Sequence, residues 1–104
     1  MVDVNKAILM ATRTGKVIYG FKQTLDTVRN GKAKMVILAS NCPSAMRREL
    51  ERCANIAAIP IYQYGKSSVD LGVACGKSFV IAAMAIREPG DSEILKLVEE
   101  KVVK

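Results

Sequence analysis

Apolar residues in this chain alternate between two spacings, and that alternation restricts the fold more than any other feature. Val4, Ala7, Ile8 and Ala11 recur at the interval of one helix face, with Asp3 placed as an N-cap and Gly15 as a stop. Val17, Ile18 and Tyr19 then read as a short strand. Gly20 opens a second helix with Phe21, Leu25 and Val28 on one face, ended by Asn30 and Gly31. The unbroken apolar run Met35 to Ala39 has the pattern of a strand covered on both sides. After the turn Ser40 to Ser44, Pro43 suits the first turn of a third helix whose stripe is Met46, Leu50, Cys53, Ala54 and Ala57. Ile59 to Tyr62 is a third strand, and Pro60 puts it at its start or at a sheet edge. Ser67 or Ser68 caps a short helix through about Ala74. Phe79 to Ile86 is a fourth strand. Pro89, Gly90 and Asp91 form a turn and cap before a last helix that buries Ile94, Leu95, Val98 and Val102. Helices alternating with strands predict an α/β fold, with helices on both faces of a four-stranded, mostly parallel sheet.

The length of 104 residues suits one domain spanning 1–104, with no linker or repeat inside it. No apolar stretch approaches the ~20 residues a membrane-spanning helix needs. The start, Met1 to Lys6, lacks the charged-then-apolar pattern of a secretion signal, so the chain is expected to stay in the cytoplasm, away from membranes. Cys42, Cys53 and Cys75 are far apart and there is no histidine. An odd number of scattered thiols predicts reduced, buried cysteines, and no ligand cluster has metal-binding spacing. No metal or cofactor is therefore expected.

Charge is unevenly placed. The net charge is +6, and between Lys6 and Lys34 seven basic residues face Asp26 alone. From Glu88 onward five acids outnumber three lysines. One part of the molecule is electropositive, which fits a polyanion partner; a merely solvated basic surface is the plainer alternative.

Two motifs suggest catalysis and neither holds. Gly72 to Ser78 resembles a phosphate-binding P-loop but has three residues between its glycines where the motif has four. It also follows a helix and precedes a strand, the reverse of the order that aims backbone amides at an anion. Cys42 stands near a helix start, where a thiolate is favoured, yet no histidine is available as base. The chain is read as a binder, not an enzyme.

Binding chemistry gathers at turns. The start of the second helix, at Gly20 to Gln23, offers free amides beside Lys22. Loops that leave the C-terminal ends of parallel strands share one edge of a sheet, which groups Tyr19 to Lys22 with Ser40 to Ser44. The Gly72 to Lys77 loop precedes its strand, and joins them if that strand runs the other way. Ser40, Asn41 and Gln23 then reach base edges, while Lys22, Arg47, Arg48 and Lys77 meet phosphates. Phe79 offers a face to an unstacked base, or else belongs to the core.

Five segments occur in order: Gly20 to Leu25, Gly31 to Ala39, Asn41 to Pro43, Val69 to Lys77, and Pro89 to Ser92. Together they resemble the kink-turn RNA-binding ribosomal protein family, in its archaeal and eukaryotic large-subunit branch, over nearly the whole chain. The short chain resembles the archaeal version. The resemblance implies a three-layer α-β-α sandwich with a four-stranded mixed sheet, monomeric when free. It also implies binding, within the ribosome, to ribosomal RNA bent at a bulge flanked by sheared G·A pairs, beside other large-subunit proteins. RNA-binding positions carried over from the family are Gly20, Phe21, Lys22 and Gln23; Asn41, Cys42 and Pro43; and Val73, Ala74, Cys75, Gly76 and Lys77 with Phe79. Lys22 and Gln23 stand where other kink-turn binders have asparagine and glutamate, favouring the ribosomal branch over the guide-RNA branch. A kink-turn binder of a guide-RNA particle or a translational regulator shares the fold and site and is the alternative, separable by its native RNA partner. Asp26 departs from the lysine or polar residue common in the wider family, and is expected to point away from phosphates.

Overall fold

A computed structural model describes residues 4–90 and Ile94. The elements follow in the order α1 (Val4–Thr14), β1 (Lys16–Tyr19), α2 (Phe21–Arg29), β2 (Met35–Leu38), α3 (Ser44–Ala57), β3 (Ile61–Gln63), α4 (Ser68–Ala74) and β4 (Ala83–Glu88). Asp3, Asp91 and the closing helix expected over Leu95, Val98 and Val102 lie outside the described residues. Ile94 is fully buried, as expected.

The sheet has the order β1-β4-β2-β3. Its side chains alternate between two cores, because successive residues of a strand face opposite ways. Met35, Ile37, Met84 and Ile86 pack with Ala7, Ile8 and Ala11 of α1 and with Leu71 of α4. Val36, Leu38, Ala83 and Ala85 pack with Leu25 and Val28 of α2 and with Leu50, Cys53 and Ala54 of α3. This is the expected α-β-α sandwich. It also explains why β2 is apolar without interruption: both of its faces are covered, and all four residues are buried.

The sheet is mixed, and not mostly parallel as the element pattern alone suggests. β2 and β3 are parallel, but β4 is antiparallel to both β1 and β2. The reason lies in the α4–β4 connection. The Ile81 amide donates to the Ser68 carbonyl at 3.0 Å, so the chain comes back to the start of α4 instead of crossing the sheet. Gly72 permits that return: a Cβ there would stand 2.1 Å from the Phe79 carbonyl oxygen. The strand consequently begins at Ala83 and not at Phe79. Phe79 and Val80 remain 52% and 62% exposed, so their strand-like composition reflects a loop with apolar surface. β3 is likewise shorter than expected and sits at the sheet edge, with Pro60 just before it offering its carbonyl to the Val36 amide.

Ile86 is fully buried on the central strand, its backbone paired with Val17 on one side and Met35 on the other. Ile86→Ala is expected to remove about 2–5 kcal/mol of stability. Urea unfolding should show this as a lower midpoint with an unchanged m-value, since the same surface is exposed on unfolding.

Candidate nucleic-acid interface

The antiparallel course of β4 brings its preceding loop to the edge where β1 and β2 end. The Gly20 amide donates to the Ala83 carbonyl at 3.1 Å, and the Ala39 amide to the Ala82 carbonyl at 2.9 Å. The start of α2, the turn after β2 and the loop before β4 thus lie side by side.

Gly20 has a φ of 92°, a conformation that favours glycine, and it turns the chain from β1 directly into α2. No side chain caps the first turn of α2, so its leading amides face outward beside exposed Lys22 and Gln23. Phe21 is half-buried against the α2–α3 core. Asp26 is exposed four residues after Lys22, hence on the same flank of the helix. It stands about 6 Å further along the helix axis than Lys22.

The second segment is internally braced. Asn41 accepts from the Ser68 amide at 2.8 Å and donates its Nδ2 to Ser68 Oγ at 3.2 Å, tying the turn to the start of α4. Arg47 donates from Nη2 to the carbonyls of Ala39, at 2.9 Å, and Ser40, and from Nη1 to Gln63. Its guanidinium holds the turn, a task that sequence reading assigned to no residue. Pro43 is exposed, whereas Cys42 is buried in the α2–α3 core. Burial pushes the Cys42 thiol upward, against the opposing pull of Arg47.

In the third segment Val73, Gly76, Lys77 and Phe79 are exposed and Ala74 is half-buried. Phe79 meets Tyr19 edge to face, with centroids 6.0 Å apart, and Lys77 Nζ lies 5.5 Å from the Tyr19 ring centroid. Tyr19 therefore positions a cation and an aromatic face together. The sequence places Tyr19 at this edge but not its supporting role, and it misses exposed Val80, because both read as plain strand residues. Cys75 faces the opposite way, into the α1–α4 core, with Sγ 3.7 Å from the Met84 sulfur. Any contact made by Cys42 or Cys75 with a ligand at this edge is a backbone contact.

The edge thus combines free amides, polar side chains, lysines and an exposed ring. These groups suit a folded polyanion with splayed bases. Among the described residues there is no group of three side chains able to hold a metal ion, and no helix long and apolar enough to cross a membrane.

Residues 2–96 match the family described as ribosomal protein L7Ae/L30e/S12e/Gadd45. The large ribosomal subunit protein eL30 of Methanosarcina mazei is 46% identical over 94 residues, covering 90% of this chain and 87% of that one. Its counterpart in Methanocaldococcus jannaschii is 44% identical over 100 residues, covering 96% and 91%. A protein of unknown function from Bacillus halodurans shares the fold with a TM-score of 0.82 at 23% identity, over 96% of this chain and 99% of that one.

The buried thiol at the back of the edge gives a pH test. Burial pushes Cys75 up to about 11 from an ordinary 9.0, with Lys77 acting weakly the other way. Between those values the folded protein keeps a proton that the unfolded chain releases, so stability falls as pH rises. The urea midpoint should decline across this interval, and less steeply in Cys75→Ala. An equal slope in the variant would mean that the thiol titrates as freely in the folded protein as in the unfolded chain.

Proposed function

The chain belongs to the ribosomal protein L7Ae/L30e/S12e/Gadd45 family, and on that premise we propose that it is a constituent of the large ribosomal subunit that grips a kinked ribosomal RNA element. Its activity is binding, without turnover, and its place is the cytoplasmic ribosome beside other large-subunit proteins. Residues 1–104 act as one RNA-binding domain, monomeric when free.

The observation that carries this reading is the meeting of the α2 start, the β2 turn and the β4 loop at one edge. A kink brings phosphates close together and splays bases at the bulge. Amides of Gly20 to Gln23, with Lys22, meet the crowded phosphates; Lys77 meets others from the opposite side. Gln23 reaches base edges with its exposed amide, and Asn41 with the Nδ2 hydrogen and the Oδ1 lone pair that its bonds to Ser68 leave over. Phe79 and the apolar surface of Val73 support an unstacked base. Pro43 and the backbone of Cys42, Ala74, Cys75 and Gly76 shape the wall, while Arg47 holds the β2 turn in register. Because these groups are already in place, the edge selects the bent state from a flexible RNA ensemble.

Binding to a kink-turn RNA, and to a mutant RNA without the sheared G·A pairs, tests this across a salt series. The intact kink should be strongly preferred at moderate salt. Lys22→Ala should weaken both RNAs and flatten the log–log salt slope by roughly 0.7–0.9, as for one lost phosphate contact. Asn41→Ala should chiefly erode the preference for the kink. Equal, salt-fragile binding of wild-type protein to both RNAs would reduce the edge to a polyanion patch.

A further inference from the structure

A second concentration of positive charge lies at the other end of the sheet. Lys16 begins β1, Lys34 directly precedes β2, and Arg87 is near the end of β4. Lys32 stands in the loop that leaves α2 through Gly31. The four cations line an open groove of about 400 Å³, where Glu88 is the one acidic lining residue among the described residues. Three of them are exposed and Arg87 is half-buried. None of the four is ion-paired among the described residues; both ion pairs found there use Glu49.

The arrangement is held by the fold. The Lys34 amide donates to the Ile86 carbonyl at 2.7 Å, which fixes that loop against β4. A register shift between Lys16 and Val17 leaves Arg87 without a partner in the β1 ladder. The C-terminal end of α2 also points this way, and its partial negative charge, about half a unit, offsets only part of the cationic surplus. At about 3.3 Å per residue, the six residues of β4 put the groove roughly 17 Å from the kink-binding edge. One site of contact with a single small RNA element does not account for both ends.

We propose that this groove binds the phosphodiester backbone of a second RNA segment, so that the protein bridges two RNA elements. The inference rests on the kink-binding reading for its first element and on the groove alone for its second. The lining favours a nucleic-acid backbone over an acidic peptide: it has lysines and an arginine, but no apolar pocket for peptide side chains. Among the described residues it also has no aromatic face or amide side chain for reading bases, so the contact is to phosphate and independent of sequence.

The test starts from protein saturated with unlabelled kink-turn RNA at about 0.15 M salt, where screening over ~8 Å separates the two ends. A labelled RNA duplex of mixed sequence is then titrated in and followed by anisotropy. The duplex should join the complex, and Lys32→Ala with Lys34→Ala should weaken its capture on the order of tenfold. Kink-turn affinity should stay within about twofold in that variant. Arg29→Ala with Arg52→Ala removes the same charge from another face and should leave capture intact. Failure of the duplex to join, or equal loss in both double variants, overturns the groove. Capture of polyglutamate in place of duplex, with the same dependence on Lys32 and Lys34, overturns RNA as its ligand. If kink-turn RNA itself does not bind, the edge reading fails, and titrating duplex into free wild-type and variant protein still decides the groove.

Discussion

The hydrogen bond from the Ile81 amide to the Ser68 carbonyl sends the chain back to the start of α4, and most of the architecture depends on that reversal. It is possible because the Gly72 backbone lies against the Phe79 carbonyl with no room for a side chain. β4 then starts from the edge where β1 and β2 finish, and slots between them antiparallel to both. The central strand is thereby buried, and its preceding loop is delivered to the same edge as the α2 start. The packing of the sheet and the make-up of the candidate edge both follow from one turn of backbone.

That edge works with parts that are already ordered. Lys77 and Phe79 share Tyr19 as a support, Asn41 is tied to Ser68, and Arg47 is bonded to the carbonyls of its own turn. Ordering a long side chain on binding costs about 0.5–1.5 kcal/mol, so groups fixed in advance retain more of their interaction as affinity. Under the proposed function, the same rigidity is the basis of discrimination. A flexible basic surface follows any phosphate chain, whereas a fixed set of donors matches one curvature of it. The two cysteines in these segments face inward and anchor the turns to the cores on either side of the sheet.

Much of this was legible in the sequence because the apolar spacing records which residues are covered. Met35 to Leu38 read as a doubly buried strand, and Leu50, Cys53 and Ala54 as a helix face; both follow directly from local pattern. The direction of β4 is different. It depends on a contact between Gly72 and Phe79, which no periodicity encodes, and the apolar character of Phe79 and Val80 hid the loop inside a strand-like run. The candidate edge was legible from the family resemblance and from the turns. The division of labour within it was not: Arg47 is suited equally to RNA and to the carbonyls of Ala39 and Ser40, and Asn41 equally to RNA and to the amide and hydroxyl of Ser68, and spacing does not choose between those partners.

Both borders of the sheet are very short, four residues in β1 and three in β3, and Pro60 precedes the latter. Exposed strand backbone is a template for pairing with another chain, and brief edges near proline or lysine offer little of it. The exposed apolar surface of Phe79 and Val80 lies in a loop and not on either border strand. Truncated borders leave few unpaired amides and carbonyls for a second copy to dock against.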